Sequence, residues 1–470
     1  MSLSRPETTE QLDRDAQLPG RHEWRVLAVV LTASVMASFD LFVVNIAMPD
    51  IRGDLHAGDG AVELVVSGYA FAYAAGLITG GRMGDRFGYR RMFATGVAGF
   101  TVASLLCALA QTAGELVAAR IVQGLTAALM VPQVLSLITV TFGASHRGRA
   151  TAWYGVAIGL AGLAGQIGGG LLLDWDLAGL GWRLIFLVNV PVGCVAVPVA
   201  LGTLPSARGR AARLDPVGAA AVTAVMVLIL VPLAVGREQG WPLWVWICMA
   251  AAALATPALL AWQAAVGRRG AEPIINTRLF TNRPYTLLLV ACALFQLYFG
   301  CFMFTLSLLL QVGLGQSAVA ASVVFLCQGV LFTATSLSGG RLAVRHGRRV
   351  PVIGAVLVVV GLIALAAVLT ADHPGMVELI AALGVVGAGN GFLLPPLLGA
   401  ALARVRAEDA GAASGTLNTA QQFANSLGVT VIGTVFFAVA GAGVAHAAAA
   451  MQVVIVVYAV LVLGIVPLVQ

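Results

Sequence analysis

Apolar residues in this chain gather in long runs separated by short polar connections. The runs lie near 26–48, 61–80, 92–111, 114–141, 149–173, 183–204, 215–235, 243–264, 285–312, 317–340, 350–370, 376–402, 411–440 and 447–469. A helix needs about 20 apolar residues to cross the hydrocarbon core of a bilayer, and these runs have that length. The pattern therefore predicts an all-α integral membrane protein with fourteen transmembrane helices. Two places are less sharply bounded. The second run opens on Glu63, and only an Ala/Gly-rich stretch separates the last two.

The polar connections set the orientation. All 27 basic residues are Arg, since the sequence contains no Lys. Twenty-three of them fall in the N-terminal segment or in every second connection, among them Arg82, Arg86, Arg90, Arg91, Arg147 and Arg149. The opposite connections hold only Arg52, Arg183 and Arg237, and Arg120 lies inside a run. Cytoplasmic loops carry the excess of basic residues. An even number of spans with both termini cytoplasmic follows. Residues 1–25 are polar, lack the apolar core of a signal peptide, and read as a disordered cytoplasmic tail.

The connections also contain a repeat. After the second run the chain reads Gly81-Arg-Met-Gly-Asp85-Arg86-Phe-Gly88-Tyr-Arg90-Arg91, and after the tenth Gly340-Arg-Leu-Ala-Val344-Arg345-His-Gly347-Arg348-Arg349. The two copies are eight helices apart. Two parallel six-helix bundles with two helices inserted between them explain that offset, and parallel repeats are a known plan among transporters. The predicted divisions are a first bundle over 26–204, a linker with two extra helices over 205–284, and a second bundle over 285–470.

Composition narrows the classes. The chain is 59% hydrophobic and 10% charged, against roughly 25% charged in soluble domains. The net charge of +6 is a topology signal rather than a nucleic-acid surface. Without Lys there is no phosphate-binding loop of the Walker type, so ATP hydrolysis by that route is excluded. The six cysteines lie in apolar runs and none has zinc-ligand spacing. They read as packing residues, with no metal or cofactor expected.

Several motifs together resemble the major facilitator superfamily, specifically its fourteen-spanner drug:proton antiporters. The Gly81–Arg91 connection resembles the superfamily's cytoplasmic signature. Asp40-Leu-Phe-Val-Val-Asn45-Ile-Ala-Met-Pro49 in the first run and Arg120-Ile-Val-Gln123-Gly124 in the fourth resemble two exporter motifs. Gly165-Gln166-Ile-Gly-Gly169-Gly170 stands where antiporters usually carry Gly-Pro-x-x-Gly-Gly, with Gln166 in place of the Pro. Trp182-Arg183 through Asn189-Val-Pro191-Val-Gly193, Leu214-Asp215-Pro216-Val-Gly218, and Glu272-Pro273 with Leu279-Phe280 resemble later landmarks of that branch.

Each candidate also has a physical reading. Asp40 is the only carboxylate deep in any predicted span, and an intramembrane carboxylate is costly enough to mark a functional site. Asp40 stands about 12 Å and Arg120 about 9 Å from the outer ends of their helices, at 1.5 Å per residue. Similar depth in the outer half makes them candidate partners: Asp40 as the proton-coupling site, Arg120 as the group that tunes it. Gln123 shares the face of Arg120 one turn on, and either lines the cavity or bonds a neighbouring helix. Asn45, about 140° round the helix from Asp40, is expected to bond another helix. For Asp85 the resemblance implies a gate latch with Arg86, Arg90 or Arg147. The bland alternative for the arginines is positive-inside anchoring.

Mid-depth polar and aromatic residues mark a substrate cavity: Tyr69, Tyr73, Gln123 and Gln166 from the first half, and Gln296, Gln328, Asn390, Asn418 and Gln422 from the second. Their amides suit a neutral, zwitterionic or singly charged amphiphile. The expectation is a non-enzymatic, monomeric transporter in the bacterial inner membrane that exports amphiphilic drugs or antibiotics in exchange for protons. The alternative on the same fold is a proton-coupled importer or a carrier of lipid-like solutes.

Overall fold

The computed structural model describes residues 20–175, 177–207, 215–236, 239–269, 277–371, 374–405, 410–441 and 446–469. Secondary structure among them is entirely helical, as a bilayer demands, because a helix satisfies its own backbone donors and acceptors where no water can. In the first part of the chain the long helices are α1 (Arg21–Asp54), α2 (Asp59–Phe87), α3 (Tyr89–Leu109), α4 (Ala113–Thr141), α5 (Ala144–Trp175) and α6 (Asn189–Thr203). Next come α7 (Pro216–Gly236) and α8 (Leu243–Arg268). The last group is α9 (Arg283–Leu308), α10 (Ala318–His346), α11 (Arg349–Val368), α12 (Met376–Ala403), α13 (Ala410–Ala440) and α14 (Ala447–Ile465).

Twelve helices among the described residues are long and apolar enough to cross a bilayer. In α5 the segments Trp153–Gly162 and Ile167–Trp175 meet at 40°, and counting this bent pair as one span makes thirteen. The apolar stretch of α7, Ala220–Leu233, is shorter. The expected count of fourteen is therefore not reached among the described residues, where twelve helices qualify outright and thirteen with the bent pair. The bend falls beside Gly165, so a glycine-rich stretch supplies a kink without the usual proline.

Several helices overrun the apolar runs that predict them. α1 begins at Arg21 rather than after residue 25, which shortens the expected tail, and continues to Asp54. Polar caps set other ends: Thr112 Oγ1 accepts from the Glu115 N–H, and Ser317 Oγ from the Ala320 N–H.

Packing repeats along the chain. In the first group α4 packs against α2 and α3, and α5 against α1; eight helices later α12 packs against α10 and α11, and α13 against α9. The groups meet along α2–α13 and α5–α10, which correspond under the same offset. α7 lies against both α2 and α13, with Val222 and Met226 in a shared apolar cluster with Ala74. α8 packs on α7. Asp215 caps α7: its Oδ1 accepts from the Gly218 N–H at 2.8 Å, while Oδ2 accepts from Gln263 Nε2 on α8 at 3.1 Å.

Candidate functional site

A glycine brings the site's two charged residues together. A Cβ on Gly124 of α4 would stand 2.3 Å from the Tyr69 carbonyl oxygen of α2. Only the missing side chain allows that approach. One turn earlier Arg120, fully buried, donates through Nε to the Val65 carbonyl of α2 at 3.0 Å and through Nη1 to Asp40 of α1.

Asp40 is fully buried and has further donors. Gln123 Nε2 donates to its Oδ1 at 2.8 Å, and Asn189 Nδ2 of α6 lies 3.5 Å from the same oxygen. Gln123 Oε1 accepts from Arg120 Nη1 at 2.6 Å, and its Nε2 also reaches Ser104 Oγ of α3 at 2.9 Å. Five helices thus supply one closed polar cluster: α1, α2, α3, α4 and α6. Such an ion pair is tolerated in an apolar interior only when its hydrogen bonds are met. Gln123 is taken up in this cluster and does not line the cavity.

Tyr69 separates the cluster from open space. The Arg120 guanidinium lies 4.3 Å from the Tyr69 ring centroid, a cation–π distance. Tyr69 is also part of the wall of a cavity of about 320 Å³. This cavity takes its walls from both groups of helices. Tyr69, Tyr73 and Tyr154 contribute from the first, and Gln296, Gln328, Asn418 and Gln422 from the second. Asn390 is fully buried and lies outside this lining. The side chains of Gln166 and Arg147 lie outside the described residues.

Toward the end that holds Asp54 and Asp59, the two groups are hydrogen-bonded together. Ser307 Oγ of α9 donates to the Asn45 carbonyl, and Gln311 Nε2 donates to the Ile46 carbonyl at 2.9 Å. Ser426 Oγ of α13 donates to the Ser67 carbonyl at 2.8 Å. A Cβ on Gly170 of α5 would lie 2.2 Å from Ser322 Oγ of α10, another close approach between the groups. Arg52 pairs with Asp59 at 2.6 Å and lies over the Phe437 ring at 5.4 Å. The Asn45 side chain bonds the Leu41 carbonyl of its own helix at 3.2 Å rather than another helix, and faces a chamber of about 30 Å³ with Asn425.

At the Arg-rich end Asp85 accepts from the Tyr89 hydroxyl at 2.7 Å, and Arg86 lies 5.5 Å over the Phe87 ring. Arg90 reaches the Leu201 and Leu204 carbonyls near the end of α6, each at 3.4 Å. Asp85 thus makes no ion pair with Arg86 or Arg90 in this conformation.

A cavity between two corresponding groups of membrane helices, sealed at one end, is transporter architecture, and comparison with known proteins agrees. The model of the Major Facilitator Superfamily matches residues 30–429. The chain belongs to this superfamily. It is a multi-pass membrane transporter and not an enzyme. It is 36% identical over 432 residues to the "Probable actinorhodin transporter" of Streptomyces coelicolor, covering 90% of this chain and 74% of that one. It is also 36% identical to "Puromycin resistance protein pur8" of Streptomyces alboniger (89% and 83% covered), and 31% identical to "Cephamycin export protein CmcT" of Amycolatopsis lactamdurans (87% and 84%). Among solved structures, a bacterial homologue of the lysosomal transporter Spinster superposes with a TM-score of 0.69 at 15% identity, over 96% of this chain and 97% of that one. The xylose transporter XylE of E. coli does so with 0.62 at 14%, over 93% and 98%.

For this Major Facilitator member several motifs acquire a local physical cause. Trp182 Nε1 and Arg183 Nη1 both donate to Asp54, at 2.9 and 2.7 Å, and Arg183 Nη2 reaches the Ala110 carbonyl, clasping the ends of α1 and α3. Gly165 and Gly170 let α5 approach α1 and α10 in turn. Two residues of the Asp40 cluster are not assigned to it from sequence: Ser104, whose one signal is a polar residue within an apolar run, and Asn189, legible only as part of the Trp182–Gly193 landmark. Glu63 is 1% exposed. It lies 3.5 Å from Thr434 Oγ1 of α13, on the closed seam rather than at an exposed helix start.

Proposed function

We propose that this chain is a proton-coupled antiporter that exports amphiphilic drugs or antibiotics from the bacterial cytoplasm. The observation that carries the proposal is the fully buried Asp40–Arg120 pair standing directly behind Tyr69 of the cavity wall. Asp40 is the proton-coupling group and Arg120 its counter-charge. The names of the relatives, which include a transporter, a resistance protein and an export protein, support export over import.

In this reading α5 and α7 complete fourteen spans in the inner membrane, with both termini cytoplasmic. The first bundle occupies 26–204, helices seven and eight 205–284, and the second bundle 285–470. The protein acts as a monomer. The Arg-rich end faces the cytoplasm, so the conformation described is closed toward the outside and receives substrate from within. Rocking of the two bundles then exposes the cavity outward. Substrate displaces the Tyr69 ring on which Arg120 rests, which loosens the ion pair and lets Asp40 exchange a proton. In the outward state Asp85 pairs with Arg86, Arg90 or Arg147 as a latch.

The test is substrate-dependent proton movement in proteoliposomes, screened over a panel of antibiotics and lipophilic dyes. The native protein is expected to move protons against drug. Asp40→Asn is expected to abolish proton-driven transport while leaving drug binding in place. Full proton-driven transport by Asp40→Asn would end the assignment.

A further inference from the structure

Three features of the cavity bear on what it holds. First, no Asp, Glu, Lys, Arg or His lines it among the described residues. Moving a permanent charge from water into such a place is unfavourable without a counter-charge. The carboxylate behind the wall, Asp40, is already matched by Arg120, and the Tyr69 ring stands between that pair and the cavity.

Second, the walls are paired rings. On the first bundle Tyr69 and Tyr73 stack with centroids 6.2 Å apart at 30°. On the second, Phe299 and Phe332 stack at 6.5 Å and 29°. Such rings can hold either a flat aromatic ligand by stacking or a cation by its attraction to ring faces. The surroundings decide between them. One face of Tyr69 is already occupied by the Arg120 guanidinium, whose charge opposes a second cation. Phe299 is further stacked on Phe295 at 5.5 Å and 15°, so the phenylalanines form a near-parallel row rather than a box of ring faces around one point, which suits a flat ring rather than a cation.

Third, the Oε1 atoms of Gln328 and Gln422 are buried in the lining with no hydrogen-bond partner. Buried acceptors left unmet are costly, and a ligand with hydroxyl or N–H donors satisfies them.

We propose that the cavity selects an uncharged, planar aromatic ligand that carries hydrogen-bond donors. The fused rings lie between the tyrosine pair and the phenylalanine pair, and the donors meet Gln328 and Gln422. This proposal rests on the drug-export reading only in taking the cavity as the substrate site.

Equilibrium binding to the full chain in lipid nanodiscs, without any ion gradient, tests it. Three probes of similar size separate charge from donors: 2,6-diaminoanthraquinone is neutral with N–H donors free of the quinone oxygens, anthraquinone is neutral with none, and ethidium is a permanent cation. The diaminoanthraquinone is expected to bind at least tenfold tighter than ethidium. Gln422→Leu is expected to lower its affinity about tenfold while leaving anthraquinone unchanged. Phe299→Ala with Phe332→Ala weakens both neutral probes. Gln328→Glu, which adds a carboxylate to the lining, is expected to raise ethidium affinity at least tenfold; a gain of binding is not a consequence of misfolding. Equal or tighter binding of ethidium by the native protein overturns the proposal, as does failure of every probe to bind. Selective neutral binding without proton movement in liposomes would instead remove proton coupling and leave this proposal intact.

Discussion

Asp40 is held by side chains that cannot be removed one at a time without cost. Deleting one partner of a buried ion pair strands the other, at about 3–5 kcal/mol. Arg120→Ala should therefore lower the thermal unfolding midpoint in detergent sharply, and Arg120→Ala combined with Asp40→Leu should recover much of the loss. If the double variant loses the sum of the two single losses, the pair is not the stabilising unit. Gly124→Ala tests the approach that makes the pair possible. Its Cβ would stand 2.3 Å from the Tyr69 carbonyl, and overpacking of this kind costs about 1–3 kcal/mol. An unchanged midpoint would show that α4 can move aside. Asp40 and Arg120 are readable in the sequence because each is a charge inside an apolar run. The face of Gln123 is readable from its spacing, but its destination is not: whether a helix face meets a cavity or a neighbour depends on packing. Asn189 stands in a legible landmark, but nothing local in the sequence aims its amide at Asp40. Glu63 resembles a helix-end acid until α13 is placed over it, which no local pattern does.

At the scale of an element, the join between α7 and α8 depends on one carboxylate. Asp215 caps α7 and bonds Gln263 of α8, and a Cβ on Gly218 would come within 2.2 Å of that carboxylate and 2.4 Å of the Gln263 amide. Asp215→Ala should cost about 1 kcal/mol, the usual value of an N-cap, and Gly218→Ala should cost at least as much by displacing both partners. Hydrogen exchange across Pro216–Gly236 reads this directly, with faster exchange expected in both variants. Exchange at the native rate would mean that the bilayer alone holds the helix. Helix positions were open to reading from hydropathy because the bilayer fixes span length. Their ends were less so. α1 continues past its apolar run to Asp54, where Arg52 and Asp54 find partners in Asp59 and in Trp182 with Arg183. Those partners are tertiary, and hydropathy is blind to them. The offset of eight between the two basic connections does anticipate a packing order that recurs eight helices later, because a duplicated segment repeats its small-residue faces as well as its loops.

For the whole molecule, the balance between conformations depends on the seam at the Arg-poor end. Ser307, Gln311 and Ser426 each donate across it to a backbone carbonyl of α1 or α2. A hydrogen bond of this type contributes about 1 kcal/mol net, so the three together bias the closed state by about 2–3 kcal/mol. Replacing all three by Ala should shift the population toward the state open at that end by one to two orders of magnitude. The cavity, which none of the three lines, should keep its affinity for the closed-state ligand apart from this shift. Spin labels at His56 and Val312, both exposed near this end, would report a longer distance as the seam parts. Labels placed at the Arg-rich end should shorten in step if the two groups rock as bodies. A lengthening at one end without the shortening at the other would mean that the seam opens by local bending of α1 or α9, and rigid rocking would have to be given up. An unchanged distribution at both ends would place the bias elsewhere, with Glu63 against Thr434, Gly170 against Ser322 and Arg52 over Phe437 among the other contacts that hold the same end shut.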